Sequence, residues 1–386
     1  MTQPPRICLD WHGGTPVLPE VLAAMQPWFT EEFASPSALH GGGLRATAAL
    51  NHAREQAAAL LGEGSPDSIL FTSGGTESVN LAIKGAAFAN QRFGQHIITT
   101  EIEHPAVLKS IDYLETLGFT STRVKTDGLG RIDPAAIRAV LRDDTILVAT
   151  HHANHELGTI QPVAELAKIT RERGIPLMLD ATVSGGWLPL PVETLGADLV
   201  ALAPHRFHGP KGVGILYHHH SARLQPILHG GVQEGQMRAG TENVPGIVGA
   251  GVACALAKEN LSSRIAHVAE LQRAFWAGLQ AMEPAAQLHG PLPGPDRLAT
   301  QLNFSLSGVD GEGVVLASDL RGFALSSGPV CVTTSRKYSY VLQALGVAPE
   351  IARGNLLVSF GLANTHDDIT TALSVLRDVL ERLRGL

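Results

Sequence analysis

Residues 203–217 read Ala203-Pro-His-Arg-Phe-His-Gly-Pro-Lys-Gly-Val-Gly-Ile-Leu-Tyr217. An apolar run at residues 198–203 leads into this stretch, and another at residues 212–217 closes it. Glycine and proline punctuate local structure, so the spacing predicts two strands joined by a compact polar turn. Outward from it the same alternation repeats. Strands are expected at residues 68–72, 96–100, 145–150 and 176–181, with helical patterns at 77–90, 106–117, 134–141 and 163–173 between them. That order implies an open α/β sheet with helices on both faces. Such sheets bind ligands at the carboxyl ends of their strands, which is where His205 and Arg206 fall.

The chain has 386 residues, 44% hydrophobic and 17% charged, enough for a large core split between a larger and a smaller domain. Its net charge of −7 is spread through the sequence and gives no nucleic-acid or membrane-surface footprint. The N-terminus has no basic-then-apolar leader, and the apolar run 244–257 reads as a buried helix rather than a membrane span. Three cysteines, Cys8, Cys254 and Cys331, give no disulfide framework and point to a reducing, cytoplasmic setting. After Thr241 a long helical stretch, 244–282, leads to a Pro/Gly-rich linker at 289–296. Short strands and terminal helices are expected from 301 to 386.

Three strand ends carry candidate chemistry. Ser73-Gly-Gly-Thr-Glu77 follows a strand and opens a helix, where Gly75 and Thr76 would let backbone N–H groups approach an anion; packing alone also explains such glycines. Glu101-Ile-Glu-His104-Pro ends another strand, and its histidine could stack on a flat ring or simply be a capped surface residue. Leu179-Asp180 ends a third, and a carboxylate at a buried strand end needs a partner, be it a ligand, an N-cap or an ion pair.

Taken together these motifs resemble the cysteine desulfurases, within class V of the pyridoxal phosphate (PLP)-dependent aminotransferase-fold enzymes. The resemblance spans nearly the whole chain. It includes Phe71-Thr-Ser-Gly with Thr76-Glu-Ser, Asn80-Leu-Ala-Ile-Lys-Gly, Asp143-Asp-Thr-Ile-Leu-Val, Gly209-Pro-Lys-Gly, Met237-Arg-Ala-Gly-Thr-Glu-Asn-Val and Tyr340-Val-Leu. It implies an α/β, fold-type-I PLP transferase. Residues 15–255 would form a large domain around a mixed, mostly parallel seven-stranded sheet. Residues 1–14 and 256–386 would form a smaller α+β domain with the N-terminal arm. A homodimer with PLP at the subunit boundary is implied too. Thr76 and His205 would hold its phosphate, Thr241 would reach the neighbour's phosphate, His104 would stack on the ring and Asp180 would meet its nitrogen. Cys331 would accept sulfur as a persulfide, and a sulfur-transfer or iron–sulfur assembly protein would be the partner; neither nucleic acid nor membrane is implied.

The departures from the family pattern gather in the same place. Where the family carries its Schiff-base lysine this chain has Arg206, whose guanidinium stays protonated and has no free amine to condense with an aldehyde. Ala203 replaces a phosphate-binding serine, Val183 a glutamine that bonds the cofactor's phenolic oxygen, and His155 the second asparagine of Asn-Asn-Glu. Leu357 replaces the arginine that clamps the substrate carboxylate, a charge-assisted contact worth about 1.5–3 kcal/mol. Pro329-Val330 precedes Cys331 in place of Ser-Ala. Lys211, in Gly-Pro-Lys-Gly, has a counterpart beside the family's true lysine and reads as structural. Three functions follow as expectations. The first is a binding, scaffold or regulatory homodimer in sulfur or iron–sulfur metabolism without ordinary desulfurase activity. The second is an enzyme of altered chemistry using noncovalent PLP or a metal among His12, His104, His155 and His205. The third is a persulfide carrier through Cys331.

Overall fold

A computed structural model describes residues 7–62, 64–328 and 338–385. Twelve strands occur among them. In chain order they are β1 Ile7–Cys8, β2 Ile69–Thr72, β3 His96–Thr100, β4 Thr120–Val124, β5 Thr145–His151 and β6 Leu177–Asp180. The others are β7 Leu199–Leu202, β8 Gly214–His218, β9 Gln287–His289, β10 Gln301–Ser305, β11 Phe323–Ala324 and β12 Asn355–Ser359. Seven form one sheet in the order β2-β8-β7-β6-β5-β3-β4. Only β8 runs against its neighbours, β2 and β7; the other pairs are parallel. The α/β class and the mixed, mostly parallel seven-stranded sheet are therefore as expected.

The central strands read as continuous apolar runs because helices cover both faces. Leu177, Leu179, Val200 and Leu202 are fully buried, each contributing about 1.5–3 kcal/mol through burial. All six expected strands appear. The seventh, β4, was not expected. It is an edge strand of sequence Thr-Ser-Thr-Arg-Val with most of its side chains at least partly exposed, so it has no apolar signature.

The expected helix at 244–282 is two helices, Val244–Glu259 and Leu261–Met282, meeting at Asn260. The asparagine closes the first by donating its backbone N–H to Leu256 and opens the second. Val244–Glu259 is buried nearly all round and packs on a 20-residue helix, Gly41–Leu60, that the sequence reading did not find. Its Gly-Gly-Gly start and alanine-rich body hide the amphipathic stripe by which helices are recognised.

A three-stranded antiparallel sheet, β12-β10-β9, follows the long helices, and β1 pairs in parallel with β11. An isolated bridge joins Asp10 to Ser359 at the end of β12. The arm that follows β1 is thereby tied to β12, and Thr15 ties it to His205 after β7. No described helix is long and apolar enough to cross a membrane.

Candidate active site

Gly75, Thr76, His104, His155, Asp180, Val183, His205 and Arg206 all stand at or just after the carboxyl ends of strands of the large sheet, whereas His12 lies on the N-terminal arm, Leu357 in β12 and Thr241 in a loop. β7 runs into a single 3-10 turn, Pro204–Arg206. The turn is fastened from three sides. Arg206 N donates to Ala203 O (2.9 Å), Trp187 Nε1 donates to Arg206 O (2.9 Å), and Thr15 donates both its N–H and its hydroxyl to His205 O. His208 N returns a bond to Thr15 Oγ1 (2.7 Å), holding His208 at φ 74°, in the left-handed region where residues other than glycine are uncommon. Arg206 is thus placed by its backbone, independently of what its side chain meets.

The side chain points among imidazoles. Burial keeps His12 well below the usual imidazole range, and the Arg206 charge adds to this. His155 is displaced the same way, by burial first and then by His104, with Arg206 among the further causes. His205 is pushed down to about 4 by burial, Arg206 and Lys211. Burial also lowers His104, against the opposing pull of Asp180. Asp10 is raised by burial and drawn back by Arg206, so a carboxylate of the N-terminal arm faces the guanidinium. At neutral pH the cluster therefore holds neutral imidazoles around one permanent cation.

Hydrogen bonds assign two tautomers. His104 Nδ1 accepts from Ala106 N (3.1 Å) at the start of the helix Pro105–Glu115, which leaves Nε2 carrying the proton. Tyr340 donates its hydroxyl to Glu103 O (2.6 Å), so the contact of that oxygen with His155 Nε2 (3.1 Å) must be donated by the imidazole. His155 Nδ1 is then the lone-pair atom; it is buried without a hydrogen-bond partner. The two rings meet edge to face, centroids 5.2 Å apart.

Asp180 is buried at the end of β6, one oxygen accepting Thr182 N (2.9 Å). Gly75 opens the helix Gly75–Asn90, and a Cβ there would stand 2.7 Å from Thr182 Cγ2 and 3.2 Å from Ala203 Cβ, so β2, β6 and β7 converge at this glycine. Thr76 is exposed beside it. Val183 is buried and lines, with Arg206, His12, Trp11, Trp187 and Ser359, a cavity of about 20 Å3, room for about one water. Leu357 is buried in β12, pairing its backbone with Ser326. Lys211 lies against Gly14 and His205, as a residue that packs the arm onto the turn. Thr241 is exposed in the loop before the helix Val244–Glu259, and Cys331, Pro329 and Val330 lie outside the described residues. Among the described residues no group of three or more His, Cys, Asp or Glu side chains is arranged to hold a metal ion.

A family model described as aminotransferase class-V matches residues 7–371. "Cysteine desulfurase IscS" of Dictyoglomus turgidum is 42% identical over 98% of this chain and 96% of its own length. "Cysteine desulfurase IscS" of Methanosarcina thermophila is 41% identical over 100% and 94%. The chain belongs to the cysteine desulfurase family. The solved structure of a "NifS-like protein" superposes with a TM-score of 0.91 at 34% identity, covering 98% of this chain and all of that one. The family is PLP-dependent, and the residues here fit part of that cofactor. The N-terminus of the helix at Gly75 and Thr76 suits a phosphate, and the buried Asp180 suits a pyridinium nitrogen. Arg206, on the strand-end turn, carries a guanidinium, which has no free amine to condense with an aldehyde.

Sequence reasoning had not reached Asp10, Trp187 or Tyr340 as parts of the site. Tyr340 and His155 are 185 residues apart, and nothing in local pattern signals such a contact.

Proposed function

We propose that this member of the cysteine desulfurase family has lost lysine-dependent PLP chemistry, and that it acts as a homodimeric binding or scaffold protein in sulfur or iron–sulfur metabolism. The observation that carries this reading is Arg206 itself. It stands on the fastened turn after β7 where the family's Schiff-base lysine is expected, among His12, His104, His155 and Asp10. A guanidinium neither condenses with an aldehyde nor gives and takes protons near neutral pH. Val183 and Leu357 support the same reading, since neither side chain can bond a phenolic oxygen or a carboxylate. PLP, where bound, supplies an electron sink; here Gly75 and Thr76 would hold its phosphate and Asp180 its ring nitrogen, noncovalently. The relatives that bear the name cysteine desulfurase make activity the opposing outcome. The purified protein, supplied with PLP and cysteine, is expected to release neither alanine nor sulfide above the rate of PLP alone. Turnover at about 1 s⁻¹ or faster, within the ordinary enzyme range, would overturn the proposal. Persulfide carriage through Cys331 remains a second role compatible with it, read by the mass added to Cys331 after incubation with an active desulfurase.

A further inference from the structure

We infer that Glu156 is a proton-operated latch between the helix Tyr340–Ala344 and the candidate site: the seam is closed while its carboxyl is neutral, and opening the seam releases its proton. Glu156 is 1% exposed. One carboxyl oxygen accepts the hydroxyl of Ser339 (2.5 Å), which also caps the helix by accepting Leu342 N. The other oxygen is buried with no hydrogen-bond partner. Among the described residues the only basic group at ion-pair distance is His155, whose Nε2 lies 3.7 Å away. That nitrogen is already committed to the Tyr340 hydroxyl, and the ring is held neutral by burial and by His104, His12, His151 and Arg206.

Among the described residues, the remaining groups do not compensate a charge either. From the loop after β3 the seam meets Glu103 and His104, and from β5 His151, which is itself engaged 2.9 Å from Glu103 Oε2. From the helix side it meets Ser339 and Tyr340. Ile102, Leu157, Val341 and Leu342 make the rest of the seam apolar. A carboxylate sealed there would have no compensating charge among the described residues, so the closed seam favours the acid form. Burial accordingly raises this group to about 8. Any opening that wets Glu156 returns it to the ordinary carboxyl range. The same opening parts Tyr340 from His155 and so uncovers the site.

Linkage fixes the sign. Between the open-state value and about 8 the open form binds fewer protons than the closed form, so rising pH favours opening. One proton makes the opening constant grow about tenfold per pH unit in that window and level off above it. The test is hydrogen–deuterium exchange by mass spectrometry on the intact protein from pH 5 to 9, corrected for intrinsic exchange rates. Protection of residues 338–345 is expected to fall about tenfold per unit up to pH 8 and then flatten. Peptides from the helix Leu261–Met282 serve as the control for global opening and should not follow. Glu156→Gln, which keeps an acceptor for Ser339, should hold the 338–345 protection level across the range. A flat wild-type profile, an equal slope in the control helix, or an unchanged slope in Glu156→Gln would each overturn the latch. The comparison of wild-type peptides decides the question even if the variant folds poorly.

Discussion

His152 shows how single residues of this fold set its response to acid. It is buried after β5, with Nδ1 3.0 Å from Ser184 Oγ, and burial with the neighbouring His151 pushes it down to about 4. The unfolded chain would titrate this group near the ordinary 6.5 and so binds more protons than the native state between those two values. The stability it contributes is complete above pH 6.5 and falls as pH drops toward 4, by about 3 kcal/mol for this one group. His152→Asn should flatten the stability–pH profile across that window by a large part of that amount, measured by urea midpoints at pH 4.5, 5.5 and 7. An unchanged profile would show that His152 is not the group concerned. At this scale the sequence was legible where residue type alone decides chemistry. Arg206 needs no coordinates to be read as unable to form a Schiff base. What it could not supply was company: Asp10 and Tyr340 reach the site only through long-range packing.

Among the elements, the pair Gly41–Leu60 and Val244–Glu259 depends on close backbone approach rather than on large side chains. A Cβ at Gly251 would stand 2.6 Å from Ala53 Cα and 2.5 Å from Gln56 Oε1. The glutamine could move aside, but the alanine backbone could not without parting the helices. Gly251→Val is expected to lower stability by about 1–3 kcal/mol or more, seen as a lower urea midpoint. A midpoint equal to wild type would mean that the helices are not packed this tightly. The same feature explains why one helix of the pair was missed in the sequence: an element that buries small residues on several sides leaves no stripe to read. β4 escaped for the opposite reason, being an edge strand with polar, partly exposed side chains. The parallel centre of the sheet, apolar along each strand, was legible throughout.

For the whole molecule, the family's fold surrounds a strand-end turn that carries Arg206. The sheet, the helix N-terminus at Gly75 and the buried Asp180 are all in place, and a fold does not by itself fix the chemistry done on it. Evolutionary likeness of about two residues in five to cysteine desulfurases carries the fold with ease, because sheet and core need only apolar patterning and tight turns. We propose that no lysine of this chain forms a Schiff base with PLP, the turn after β7 carrying Arg206. Lys211, beside His205 and Gly14, is the nearest alternative on the same loop. Borohydride reduction of the wild-type protein saturated with PLP, followed by peptide mass analysis, tests this directly. No pyridoxyl mass is expected on Lys211 or on any other lysine at one equivalent per chain, whereas Arg206→Lys, treated alike, serves as the comparison. A stoichiometric pyridoxyl adduct on a wild-type lysine would contradict the account.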